Sequence, residues 1–74
     1  MKVTVKLFAV LRTGRFDIET RKYSPGTRIS QIIDELNIPR GQVAIIFVNN
    51  RHAGPDRQLH DGDVVAFFPP IGGG

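Results

Sequence analysis

The sequence predicts an α+β domain in which one helix packs across one face of a mixed sheet. Three observations predict it. Two stretches near the N-terminus alternate apolar and polar residues with period two. One later segment repeats its apolar residues with a period of 3.6. Two short apolar runs, rich in Val, Ile and Phe, follow that segment. A chain of 74 residues holds one such core and has no room for a second. At this size it buries only about 60% of its unfolded surface, so the core is small. With 41% apolar and 23% charged residues, the composition is that of an ordinary globular domain.

Val3, Val5 and Leu7 alternate with Lys2, Thr4 and Lys6, which predicts a half-buried first strand reaching about Leu11. Arg12-Thr13-Gly14-Arg15 predicts a turn, with Gly14 free to take positive φ. Phe16, Ile18 and Thr20 alternate with Asp17, Glu19 and Arg21, which predicts a second strand to about Tyr23, paired with the first in an antiparallel hairpin. Ser24-Pro25-Gly26 breaks the pattern, and the Thr27 hydroxyl is suited to cap a helix. Ile29, Ile32, Ile33 and Leu36 then fall on one helical face, with Arg28, Ser30, Gln31, Asp34 and Glu35 opposite. The helix is expected over residues 27–37, ending at Asn37 before Pro39. Three turns are marginal alone, so this helix must lie on the sheet.

Val43-Ala44-Ile45-Ile46-Phe47-Val48 is apolar on both faces, the mark of an interior strand. Asn49-Asn50 predicts a turn and residues 51–54 a short return strand. Gly54-Pro55-Asp56 reads as a loop, Leu59 as an isolated apolar anchor, and His60-Asp61-Gly62-Asp63 as a turn. Val64-Val65-Ala66-Phe67-Phe68 is the last strand, closed by Pro69 and Pro70. If the N-terminal hairpin sits centrally, the first and last strands become parallel neighbours. That arrangement is the β-grasp, or ubiquitin-like, fold. Residues 1–70 are expected to form the domain and residues 71–74 a flexible glycine tail.

Several function classes are excluded. The absence of cysteine removes disulfide scaffolds, zinc knuckles, thiol nucleophiles and redox pairs. His52 and His60 have no serine or cysteine partner at a recognisable spacing, so a catalytic triad is not expected. Nor do they and the nearby Asp56, Asp61 and Asp63 show a metal-ligand spacing. No phosphate-binding glycine loop follows a strand, so the chain is expected to bind no nucleotide or other cofactor itself. The net charge is +3, but the basic residues are scattered and no basic stripe with interleaved aromatics points to nucleic acid. No apolar stretch approaches a membrane span, and the alternating N-terminus lacks the apolar run of a secretion signal. A cytoplasmic location is the default expectation.

The last residues carry the positive signal. Pro69 and Pro70 lock φ and donate no hydrogen bond, giving a stiff exit from the sheet. Ile71 and three glycines follow. Glycines contribute nothing to a core, yet three of them reach about 10 Å and thread a narrow channel with ease. Without a Cβ, the Gly74 carboxylate is the least hindered one a protein can offer. A frayed end would look similar. Its attachment to a β-grasp pattern and a proline pair favours a working tail.

The run from Asp61 through Pro69-Pro70-Ile71-Gly72-Gly73-Gly74 resembles the carboxyl end of the MoaD/ThiS family of ubiquitin-like sulfur carriers. Lys6-Leu7-Phe8-Ala9-Val10-Leu11-Arg12 resembles that family's first-strand pattern, and Phe47-Val48-Asn49 its Val-Asn turn. The resemblance spans essentially the whole chain. It implies a carrier rather than an enzyme. An E1-like partner would join the terminal carboxylate to AMP using ATP, and a sulfur donor would displace AMP to leave a thiocarboxylate. Gly74 would carry the sulfur, with Gly72 and Gly73 as the threading residues. A larger synthase subunit would then receive the tail. The paired phenylalanines and prolines lean toward the MoaD branch, whose acceptor is a molybdopterin precursor. A ThiS-like role in thiazole synthesis, a protein modifier forming isopeptide bonds, and a plain binding module remain alternatives.

Strand parity suggests the docking face. If Val65 and Phe67 face the helix, Phe68 faces outward, and Phe8 does so on the neighbouring strand. The two are expected to form an exposed apolar patch at the root of the tail. Pro69, Pro70 and Ile71 continue it, and His52 falls where the family often has an apolar interface residue. Ordering three tail residues costs about 3–6 kcal/mol. Burying two phenylalanines yields at most about 8–12 kcal/mol before association entropy.

Overall fold

The computed structural model describes residues 1–70. Five strands form one sheet: β1 (Lys2–Leu7), β2 (Ile18–Lys22), β3 (Ile45–Val48), β4 (Arg51–His52) and β5 (Val64–Phe68). Their spatial order is β2-β1-β5-β3-β4. β1 runs parallel to β5 and antiparallel to β2, and β3 is antiparallel to both β5 and β4. The helix α1 (Ile29–Glu35) covers one face. This is the β-grasp arrangement expected from the sequence, with the first and last strands side by side.

The inner face is set by period two. Val3, Val5, Leu7, Val65 and Phe67 are fully buried, and Ile46 and Val48 join them from β3. Ile29, Ile32 and Ile33 of α1 close the core from above. Leu59 belongs to this core and not to the outer patch, at 2% exposure.

Four local expectations are corrected. β1 stops at Leu7, not Leu11, because Ala9 takes φ 52°, outside the extended region a strand needs, and starts a 3-10 turn over Ala9–Arg12. That turn still delivers Leu11 to the core, and it makes the link to β2 longer than the four-residue turn expected at residues 12–15. Gly14 does take positive φ. β2 spans only Ile18–Lys22 and lies at the sheet edge, so Ile18 stays 59% exposed despite the alternating pattern.

The third correction is the helix cap. Thr27 Oγ1 donates to the Ser24 carbonyl at 2.7 Å and closes the preceding turn. Arg28 takes the cap position, and its N–H donates to Gln31 Oε1 at 2.7 Å. The fourth is Ser30, expected on the solvent face but buried. Its N–H donates to the Pro55 carbonyl and the Ile29 N–H to the Arg57 carbonyl, so the loop after β4 covers the first turn of α1. At the other end Asn37 turns left-handed at φ 57°, and the Ile38 N–H returns to the Ile33 carbonyl.

Candidate functional site

The outer face of the sheet is made of the residues that alternate with the core. Ile45 pairs with Phe68, Phe47 with Ala66 and with His52, and Lys6 with Ala66. Phe8, just beyond β1, stacks on Phe68 with ring centroids 4.2 Å apart and planes 13° from parallel. Phe47 meets Phe68 edge-on at 5.6 Å, and the His52 ring lies 4.5 Å from Phe47. Three phenylalanines and an imidazole thus form one continuous aromatic cluster. From the sequence, Phe47 is only part of a strand and a turn motif and not a member of the docking patch. Its parity with Phe68 across β3 and β5 would have found it had the register been known.

Phe8, Phe47 and Phe68 are each half-buried, so the patch is less exposed than expected. The rings cover one another, and docking therefore gains less than the upper bound for two fully exposed phenylalanines. Arg12 stands beside them, its guanidinium carbon 5.5 Å from the Phe8 ring centroid and its Nε donating to the Leu7 carbonyl at 2.9 Å. Pro69 is half-buried and Pro70 exposed, directly after the strand that carries Phe68. Ile71, Gly72, Gly73 and Gly74 lie outside the described residues.

The turn before β5 holds that strand in place. Asp61 Oδ1 accepts the Lys2 N–H at 2.7 Å, the Gly62 N–H donates to the Lys2 carbonyl, and the Asp63 carbonyl accepts the Thr4 N–H. Gly62 sits at φ 87°, which an L side chain adopts only under strain. Asp63 closes the turn that the sequence predicts, and its side chain is buried there. It accepts the His60 N–H at 2.8 Å and the Asn49 side-chain amide at 2.9 Å, while Asn49 Oδ1 accepts the Val64 N–H. Burial pushes its carboxyl up. Those hydrogen bonds, with His60 and Arg57 nearby, outweigh burial and hold it below the usual carboxylate range. The Asp-Gly-Asp run is therefore a clamp joining β1, β5 and the β3–β4 turn.

Arg15 is a second structural residue that composition left among scattered charges. Its guanidinium donates to the carbonyls of Leu11, Leu36 and Asn37, tying the first loop to the C-terminal end of α1. On the helix side of the sheet, the Tyr23 hydroxyl donates to Glu35 at 2.8 Å and Arg21 approaches the same carboxylate. Burial first, and the Glu35 hydrogen bond second, push the Tyr23 hydroxyl pKa well above its ordinary value.

Among the described residues no group of His, Asp or Glu is placed to hold a metal ion. Nor is any helix there long and apolar enough to cross a membrane. His60 and His52 lie far apart in role, the first in the clamp and the second on the aromatic cluster.

The fold and these motifs have counterparts among known proteins. The chain matches the ThiS family over residues 5–74. A protein from Pyrococcus furiosus described as molybdopterin converting factor, subunit 1, is 32% identical, with 96% of this chain and 99% of that one covered and a TM-score of 0.75. Subunit 1 in the complex of subunits 1 and 2 of the molybdopterin-converting factor from Helicobacter pylori is 25% identical, with both chains covered in full and a TM-score of 0.63. SAMP1 from Haloferax volcanii is similar in fold, at 20% identity, full coverage of both chains and a TM-score of 0.76. No curated protein matches the chain. The chain belongs to the ThiS/MoaD family of ubiquitin-like sulfur carriers.

Proposed function

We propose that the chain is a MoaD-like sulfur carrier, the small subunit of a molybdopterin-synthase-like pair. The observation that carries this reading is the stacked Phe8–Phe68 pair at the end of β5, where the strand runs into Pro69-Pro70. A partner that grips these rings holds the chain at the point where residues 71–74 depart, and so aims the tail. The likeness to the Pyrococcus furiosus and Helicobacter pylori subunits supports the molybdopterin branch.

In this reading the Gly74 carboxylate attacks the α-phosphorus of ATP on an E1-like enzyme, forming the acyl adenylate and releasing pyrophosphate. A donor at the sulfide oxidation level then adds to the acyl carbon, AMP leaves, and a thiocarboxylate remains. The larger synthase subunit binds the same aromatic face and receives the tail, from which sulfur passes to a pterin precursor. The ATP belongs to the activating enzyme. The chain itself holds no cofactor and works in the cytoplasm. Gly72, Gly73 and Gly74 contribute by having no side chain to obstruct the channel.

The test is intact-mass analysis after incubation with ATP, sulfide and the E1-like enzyme of the same organism. The expected result is exchange of one oxygen for sulfur, localised to Gly74. An unchanged mass, or recovery of the chain only as isopeptide conjugates, overturns the carrier reading. Adding one residue after Gly74 is expected to abolish the exchange and leave thermal unfolding unchanged.

A further inference from the structure

The ten cationic residues are three lysines and seven arginines, and seven carboxylates accompany them. Arginines and carboxylates thus balance in number, and the net charge of +3 equals the lysine count. All three lysines stand on the outer face of the sheet. Lys2 and Lys6 alternate with the buried Val3, Val5 and Leu7, and Lys22 pairs with Lys2 across β1 and β2. The Thr4–Thr20 hydroxyl contact of 3.1 Å between them confirms which way these strands face.

No strand residue on that face is acidic. Glu19 pairs with Val5 and so shares the helix side, where Arg21 and Glu35 also lie. Asp34 is held by Arg40, Asp17 by Arg12, and Asp63 by the clamp. Asp61 accepts the Lys2 N–H at the far end of β1. Among the described residues Arg12, Arg21 and Arg40 are ion-paired, while the three lysines and Arg15, Arg28, Arg51 and Arg57 are not; the lysines differ from those arginines in sharing one face of the sheet. The lysine charge is therefore gathered on one face. Lys6 adjoins the aromatic cluster through Ala66, and Lys2 and Lys22 lie farther along the strands.

We propose that this face fits a protein partner whose docking surface sets an apolar pocket for Phe8, Phe47 and Phe68 beside a row of carboxylates facing Lys2, Lys6 and Lys22. This rests on the carrier reading only for the partner's identity, taken as the E1-like enzyme of the same organism. Hydrated ammonium groups beside an apolar contact act over distance and keep their water on docking, so they speed encounter more than they tighten the complex.

The test compares two variants that each lose two charges. Lys6→Gln/Lys22→Gln alters the outer face, and Arg51→Gln/Arg57→Gln alters exposed positions elsewhere. Association with the E1-like enzyme is followed by stopped flow without ATP, so that binding is read apart from adenylation. The lysine pair is expected to slow association about tenfold at low salt, with the arginine pair near wild type. Raising salt from about 0.1 to about 1 M shortens the Debye length from ~10 to ~3 Å and should erase the difference. Melting temperatures are expected to match. Equal effects of the two pairs, a salt-independent rate, or no binding by the wild type overturns the proposal. So does salt-sensitive binding to the organism's total tRNA with the same lysine dependence and none to the enzyme. Binding that follows the expected pattern without any later oxygen-to-sulfur exchange overturns the carrier reading alone.

Discussion

Along β5, Val65 and Phe67 are fully buried, while Val64, Ala66 and Phe68 between them are half-buried on the opposite face. The inner set packs against α1, and among the described residues the outer set meets no covering element. The inner face is apolar because folding requires it, since burial of these side chains is the main favourable term available to a chain this short. The outer face has no such duty. It nonetheless keeps three phenylalanines together at one end, with Lys6 beside them and Lys2 and Lys22 farther along. A half-exposed aromatic cluster bordered by unpaired lysines fits a docking surface with an apolar centre and a polar rim.

The contrast is tested most severely at adjacent residues. Phe67→Ala should destabilise the fold by about 3–5 kcal/mol, read by urea denaturation, because it empties the centre of the core. Arg15→Ala should cost about 2 kcal/mol, because three carbonyls at the first loop and the end of α1 lose their donor. Gly62→Ala should cost about 1–2 kcal/mol in the same assay, since φ 87° is strained for any L side chain although the space beyond is open. Phe68→Ala should cost least in stability, about 1 kcal/mol for the lost stacking, while removing most of the association with the E1-like enzyme. Comparable stability losses at Phe67 and Phe68 would erase the distinction between the two faces.

The clamp adds a pH signature. The folded pKa of Asp63 lies below its ordinary value of 3.8. Its contribution to stability is therefore complete above about pH 5 and is lost as pH falls through 3.8 toward the folded value. The margin of wild type over Asp63→Asn, measured by denaturation at stepped pH, should shrink on acidification. A margin that grows at low pH would reverse the assigned sign.

Much of this was legible from local pattern. Val3-Val5-Leu7 and Val65-Phe67 announced their strands through period two, and Ile29-Ile32-Ile33 announced the helix through period 3.6. Asn49-Asn50 and Gly62 marked turns, and all three take positive φ. The departures have two causes. The burial of Ser30 beside Pro55 and of Asp63 beside Asn49 depends on partners distant in the chain, whereas the end of β1 at Ala9 and the cap at Arg28, whose N–H is received by Gln31, were decided by local backbone alternatives that periodicity does not rank.

The sequence by itself determined which residues could be buried and where the chain had to turn, because periodicity and backbone freedom are properties of neighbours. Tertiary structure alone decided the register that sets Phe47 beside Phe68, the carbonyls that receive Arg15, and the gathering of every lysine on one face. Those outcomes arise when strands far apart in sequence are brought about 4.8 Å from one another, a distance no local pattern encodes.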